Sequence, residues 1–217
     1  MKNQKSEIYT KELYDKLPEE KKDKVLKGII SEFAASGING CNVRTIAKKI
    51  GISHGSLFHY FSSKDDMIHT IIQEGVKMQQ RVLKKGLSLE GDFFQKIELI
   101  FRDSLNFAKE NKDIISIWLE LSQPYHEKFT QHTLQMEKEA IVFLKNLVND
   151  GKKDGSIKNK LSADVIAYII DSILANLMKS SISGIERMKF EDHFSVDYEE
   201  SNEVIKKIIS NLKNSFA

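Results

Sequence analysis

Apolar residues return every three to four positions along most of this 217-residue chain, and no stretch alternates apolar with polar long enough to make a strand. That period is the helical one, so an all-α fold is expected. Leu26, Ile29, Ile30, Phe33 and Ala34 stripe a helix beginning near Glu19, and Val43, Ile46, Ala47 and Ile50 stripe a short one after it. Leu57 and Phe61 anchor another. Ser63, followed three residues on by Asp66, opens a longer helix carrying Met67, Ile68, Ile71 and Ile72 to about residue 83. From about residue 90 the spacing predicts a helix around Phe93, Phe94, Ile97, Ile100, Phe101 and Leu105, and a shorter one over 114–121. Pro124 suits the first turn of a long helix carrying Tyr125, Phe129, Met136, Ala140, Phe143, Leu144 and Leu147. Residues 150–160 read as a polar loop with two glycines, 163–184 as a helix capped by Ser162, and 199–216 as the last helix.

The densest signal lies in residues 42–64. Asn42 stands where its side chain can cap the helix over 43–50. Gly51 follows the last apolar residue, where a sharp turn needs positive φ. Ile52 tucks the turn inward, and Ser53 is placed to cap the next helix. Ala47 is small where the two helices cross. Outward on the second helix stand Ser53, His54, Gly55, Ser56, His59 and Tyr60, and no carboxylate occurs between Glu32 and Asp65. Acids there would be repelled by phosphates. Gly55 costs about 1 kcal/mol of helix stability relative to alanine, which makes sense where backbone must approach a partner closely. The plainer reading is a helix pair joined by a glycine turn for packing alone.

The stretch FAASGINGCNVRTIAKKIGISHGSLFHYFSSKDDM resembles the DNA-binding domain of the TetR family of bacterial transcriptional regulators. Phe33 and Gly37 match the family's close of the first helix. Ile46, Ala47, Gly51, Ser53, Gly55, Leu57, Phe61 and Lys64 fall in register on its helix-turn-helix pattern. The match covers about residues 25–72; beyond it only length and helical layout agree. Cys41 and Asn42 replace the usual hydroxyl residues before the first motif helix, and Phe58 replaces the usual tyrosine. A phosphate-contacting hydroxyl is thus missing, and an apolar contact to a thymine methyl is open instead. The resemblance implies DNA-binding residues Arg44, Thr45, Ser53, His54, Gly55, Ser56, Phe58, His59, Tyr60 and Lys64. Arg44 and Lys64 are expected at phosphates, and the second motif helix in a major groove.

Three segments are expected: an N-terminal extension over 1–18, a three-helix DNA-binding domain over 19–63, and a helical effector-binding and dimerisation domain over 64–217. Residues 1–17 are open to two readings, a frayed extension or a basic arm reaching a neighbouring groove. The net charge of +2 divides unevenly. Residues 1–64 hold 12 Lys or Arg against 7 Asp or Glu, and the remainder 21 against 24. The excess of positive charge therefore lies with the motif, as phosphate neutralisation requires. A single cysteine, Cys41, excludes an intrachain disulfide and suits a reducing compartment. No apolar leader core is seen at the N-terminus, and the longest apolar run, 165–170, is too short to span a bilayer. A cytoplasmic, nucleoid-associated protein without membrane contact is expected.

The segment 163–184 is apolar around much of its circumference, which requires cover on two sides. One side is its own core; the other suits a partner helix. The resemblance implies the same, a four-helix bundle between subunits formed by the last two long helices. Expected interface residues are Ile166, Ile170, Ile173, Leu177, Val204, Ile205, Ile208, Ile209 and Leu212. Aromatics concentrate between residues 93 and 168. Core packing explains any one of them, but together they could line an apolar pocket with a few polar anchors. The expected ligand-binding set is Phe101, Trp118, Tyr125, Phe129, Met136, Tyr168 and Asn176. Catalysis is not expected. Glu-x-x-His repeats on two helices, paired histidines, a P-loop, a nucleophile elbow and a dinucleotide fingerprint are all missing from the sequence, so no metal and no cofactor is anticipated. The resulting expectation is a homodimeric repressor, released from a palindromic operator by a small apolar or aromatic inducer. A chromosome-associated factor without inducer and a helical interaction module are the alternatives.

Overall fold

A computed structural model describes residues 9–217, with their side chains except those at 86, 87, 132, 135 and 136. Among the described residues every regular element is helical. The order is α1 (Glu12–Asp15), α2 (Glu19–Gly40), α3 (Val43–Ile50), α4 (His54–Tyr60), α5 (Lys64–Ser88), α6 (Phe93–Glu110), α7 (Lys112–Leu121), α8 (Glu127–Lys153), α9 (Ala163–Ser180), α10 (Gly184–Phe194) and α11 (Ser201–Phe216). Single 3-10 turns cover Pro124–His126 and Tyr198–Glu200.

Three elements differ from the sequence pattern. Pro124 opens the 3-10 turn rather than the long helix, which starts at Glu127. The expected loop at 150–160 begins later, because α8 runs through Gly151 to Lys153. A Cβ on Gly151 would lie 2.9 Å from the Cβ of Phe93, so this glycine serves close packing inside a helix rather than a turn. The segment expected as one helix over 163–184 stops at Ser180. The Ser180 and Ser181 hydroxyls turn back to the carbonyls of Leu177 and Met178, and Ser183 caps the separate α10 by accepting from the Glu186 N–H. Serine hydroxyls competing for backbone groups end the helix there.

The chain forms two compact units, described separately. The first comprises the residues up to Val76 together with Ser116–Thr133; the second comprises Lys77–Ile115 and Leu134–Ala217. The packing division therefore falls elsewhere than the sequence boundary after residue 63.

In the first unit α2 and α3 approach so closely that a Cβ on Gly28 would sit 2.4 Å from Ile50 Cγ1. Ile29, Phe33, Ile46, Ala47, Leu57 and Phe61 are buried between α2, α3 and α4. Met67, Ile68, Ile71 and Ile72 bury one face of α5, as their spacing predicts. A later piece of the chain completes this unit. The Trp118 indole lies over Gly75, where a Cβ would come within 2.2 Å of the ring. Phe129 is fully buried, 5.1 Å from the His69 ring, and Lys128 pairs with Asp65 at 2.7 Å. At the other end, residues 9–17 are docked rather than frayed. Tyr14 is buried, with its ring 5.1 Å from that of Phe61, and Tyr9 stacks on His69 at 4.2 Å. The remaining part of the expected extension, residues 1–8, lies outside the described residues.

The second unit is built around α6, whose Ile97, Ile100 and Phe101 have no solvent exposure and which packs between α9 and α11. This packing corrects most of the expected subunit interface. Ile166, Ile170, Leu177, Val204, Ile205 and Ile209 belong to the core of their own chain, and a buried side chain has no surface left for a partner. Ile173, Ile208 and Leu212 are only partly buried at its margin. Among the described residues no single helix is long and apolar enough to cross a membrane.

Gly75→Ala tests the joint between α5 and α7, because the Trp118 ring is too bulky to yield. We expect a loss of about 1–3 kcal/mol, as overpacking generally costs, read as a lowered midpoint in thermal denaturation.

Candidate nucleic-acid interface

The helix-turn-helix is assembled by four local devices. Asn42 Oδ1 accepts the Arg44 N–H at 2.9 Å and starts α3. Gly51 adopts φ +80°, ψ +37°, and its N–H closes back onto the Ala47 and Lys48 carbonyls. Ser53 Oγ accepts the Ser56 N–H at 2.9 Å and starts α4. Leu57 and Phe61, both without solvent exposure, then fix which side of α4 faces inward. With these two anchored, His54, Gly55 and His59 are left exposed, and Ser53 just before the helix is exposed as well.

The sequence-derived residues fall into three groups. Arg44 is exposed and Thr45 half-buried at the start of α3; Ser53, His54, Gly55 and His59 are exposed on or next to α4. Ser56, Phe58 and Tyr60 are half-buried beside them. The His54 ring meets Phe58 edge-on at 4.9 Å, and the Ser53 and Ser56 hydroxyls lie 2.7 Å apart, so these four side chains contact one another in two pairs. Lys64 stands apart. Its ammonium donates to the carbonyls of Asn39 at 3.2 Å and Cys41 at 3.0 Å. Two of its three protons are thereby engaged within the protein, tying α5 to the end of α2.

Gly55 is exposed, and a Cβ built on it would find only Ser53 Oγ at 3.8 Å. Nothing within the protein therefore requires glycine there. Gly28 and Gly75 contrast with it, since internal packing explains both.

Sequence reading missed Lys11. Its N–H donates to the Tyr60 carbonyl at 2.8 Å and its ammonium to the Phe58 carbonyl at 2.7 Å, so one residue closes the C-terminal end of α4. A cation at that end also complements the helix dipole. Forty-seven positions separate Lys11 from Phe58, and no local pattern announces such a pairing.

Glu32 on α2 is 5 % exposed and pairs with Lys49 of α3 at 2.9 Å, while Ser36 Oγ donates to it at 3.0 Å. The bond from Lys49, chiefly, holds its carboxyl below the usual range against the opposing effect of burial. Beside it, burial pushes the Cys41 thiol up to about 11, so it stays a neutral, packed group. Lys49 also borders a cleft of about 870 Å³ with Lys21, Lys24, Lys27, Glu20 and Asp23.

The residues expected to line one ligand pocket are distributed over both units and the surface. Phe101 is fully buried in the core of the second unit, whereas Trp118 and Phe129 belong to the first. Tyr125 and Tyr168 are exposed to 68 % and 73 %, too open for lining an enclosed pocket, and the Met136 side chain lies outside the description. Asn176 alone borders a groove, one of about 350 Å³ with Ile173, Leu177, Phe190, Phe194 and Ile208. Aromatic spacing along a helix marks the buried face but not which unit buries it.

Residues 25–71 match the sequence pattern of the bacterial regulatory proteins of the tetR family. The HTH-type transcriptional regulator BetI of Vibrio campbellii is 24% identical over 162 residues, which span 73% of this chain and 78% of that protein. A TetR family transcriptional regulator from Chloroflexus aurantiacus superposes with a TM-score of 0.70 at 21% identity, covering 95% of this chain and 98% of the other. The regulator FadR from Bacillus subtilis, solved in complex with stearoyl-CoA, gives 0.68 at 17% identity, covering 87% and 97%. The two structures share the fold.

Because the folded-state carboxyl of Glu32 is depressed, its stabilisation is complete above the ordinary value of 4.5 and is lost as pH falls through the lower folded-state value. We expect Glu32→Gln to melt earlier than wild type at pH 7, by about 1–3 kcal/mol. The two melting midpoints should converge on acidification towards pH ~3; parallel curves would deny the carboxylate this role.

Proposed function

Since the chain belongs to the TetR family of bacterial transcriptional regulators, we propose that it acts as a homodimeric repressor whose α4 enters the major groove of a palindromic operator. Two copies related by a two-fold axis would read half-sites roughly 34–36 Å apart. Arg44 would hold phosphate at the start of α3. His54, Ser56, His59 and Tyr60 would meet base edges or adjacent backbone, and Phe58 would offer an apolar surface to a thymine methyl.

The observation that carries this reading is Gly55. It sits exposed in a surface helix that bears no acid, and no neighbour within the protein excludes a side chain there. Its cost to the helix is therefore compensated by something outside the protein, and a DNA backbone or base edge at close approach fits. The excess of positive charge in residues 1–64 supports the same partner.

For the second subunit, the surface left open on α9 is the fitting partner face. Val165 and Tyr168 are exposed to 44 % and 73 %, and Ser172 and Ala175 continue the same side of the helix with small, half-buried residues. Ile208 and Leu212, partly open on α11, supply a second apolar row. The effector is proposed to be a small apolar or aromatic molecule acting on the second unit. An acyl chain joins that class, in view of the stearoyl-CoA bound by the similar FadR. It would release DNA only by binding the released conformation more tightly than the DNA-bound one.

Selection of duplexes from a random pool, followed by fluorescence anisotropy on the enriched sequence and a scrambled control, tests the reading. Failure to enrich any sequence would sink it. On the enriched duplex Gly55→Ala is expected to bind at least tenfold more weakly, although the alanine stabilises the protein by about 0.5–1 kcal/mol. Equal affinity would deny the close approach. Tyr168→Asp is expected to halve the mass seen by sedimentation while leaving the helical circular-dichroism signal intact.

A further inference from the structure

Near its end α2 leaves the helical path at Gly37, where φ is +70° and ψ 167°. Such a break frees polar backbone groups that need partners. Two side chains supply them from outside the segment. Lys64 of α5 takes the Asn39 and Cys41 carbonyls, as described above. The Ile38 N–H donates to Glu120 Oε1 at 2.8 Å. Ile38 is 3 % exposed, so water is a poor substitute for that acceptor.

Glu120 lies in the last turn of α7, 82 positions beyond Ile38, within the Ser116–Thr133 stretch that packs into the first unit. Glycine at residue 37 leaves the Glu120 carboxylate room at the break. A Cβ there would sit 3.2 Å from Glu120 Oε1, tighter than an ordinary contact, besides opposing the positive φ. The same oxygen, Oε1, lies 3.5 Å from Nε2 of His126 in the turn that follows α7. His126 is 2 % exposed, and Nε2 makes no hydrogen bond. The buried imidazole therefore packs against the oxygen that holds the Ile38 N–H.

The segment 37–42, the last turn of α2 with the two residues after it, delivers the chain to Asn42 and hence sets where α3 begins. The position of α3 in turn sets α4, because Ile46, Ala47 and Ile50 pack beneath it. We propose that Glu120 is a positioning residue for DNA reading: its carboxylate holds the last turn of α2, beyond the Gly37 break, through the Ile38 N–H and so fixes the helix-turn-helix in its binding-competent placement. A displacement of the end of α7 withdraws that acceptor and loosens the motif without touching any residue that faces DNA. The inference rests on the DNA-binding reading given above.

The test compares wild type, Glu120→Ala and Glu120→Gln, each as the full chain, on the duplex enriched from the random pool. Anisotropy gives affinity, hydrogen exchange gives protection at the Ile38 amide, and sedimentation with thermal melting reports assembly and fold. Glu120→Ala is expected to lose roughly tenfold in affinity and the protection of the Ile38 amide, while the Leu57 and Phe61 amides stay protected. Glu120→Gln keeps an oxygen acceptor, and so restores Ile38 protection and binds within about threefold of wild type. Wild-type affinity in Glu120→Ala despite an unprotected Ile38 amide overturns the inference, as does an equal loss of affinity in both variants. Should the alanine variant fail to fold, the glutamine variant decides: restored protection with restored affinity upholds the role, and restored protection without affinity ends it. If wild type itself enriches no sequence, the DNA-binding reading fails, and Ile38 protection still shows whether Glu120 holds the last turn of α2.

Discussion

A helix of seven residues does not hold itself together in water, since nucleation costs more than so few hydrogen bonds return. The α4 helix exists because Leu57 and Phe61 are driven out of water against α2 and α3, and all its other properties follow from that burial. The two anchors fix the rotation of the helix and so decide that Ser53, His54, Gly55 and His59 are presented outward. The Ser53 cap closes one end, and the N–H and ammonium of Lys11 close the other. A short element held at both ends and along one side is rigid enough to present hydrogen-bonding groups in a fixed pattern, as groove recognition requires.

The support beneath α4 is itself borrowed. The α2–α3 contact is tight because Gly28 admits Ile50, and it is cross-linked by the buried Glu32 with Lys49. The far side of the unit is closed by chain from well beyond it: Trp118 over Gly75, Phe129 against His69, Lys128 on Asp65 and Glu120 at the α2 break. A segment that belongs to the later part of the sequence thus folds as part of the first unit. Such shared membership is the physical basis of the positioning role proposed for Glu120.

The second unit shows how an apolar helix divides its surface. Ile166, Ile170 and Leu177 of α9 are buried by α6 and its neighbours, while Val165 and Tyr168 are left in solvent. Both groups are apolar, so hydropathy alone cannot rank them. Their angular positions around the helix matter only once the neighbouring helices are in place. The same holds for the aromatics between residues 93 and 168, some of which are buried in one unit, some in the other and some left at the surface.

The sequence by itself determined the helix-turn-helix almost residue by residue: the Asn42 cap, the left-handed Gly51, the Ser53 cap, the buried Leu57 and Phe61 and the acid-free outer face. Caps, turns and amphipathic stripes are set by residues within four positions of one another, so local chemistry records them. The sequence likewise set the all-α class and most helix boundaries, missing the end of α9 because a run of serines competes for backbone more strongly than an apolar stripe suggests. Only the tertiary structure decided that Lys11 closes α4, that Lys64 serves the α2 break, that Glu120 and Trp118 belong to the first unit, and which face of α9 stays open. Each of those depends on contacts between positions tens of residues apart. Such pairings are selected by the shape complementarity of whole helices, which no window along the chain contains.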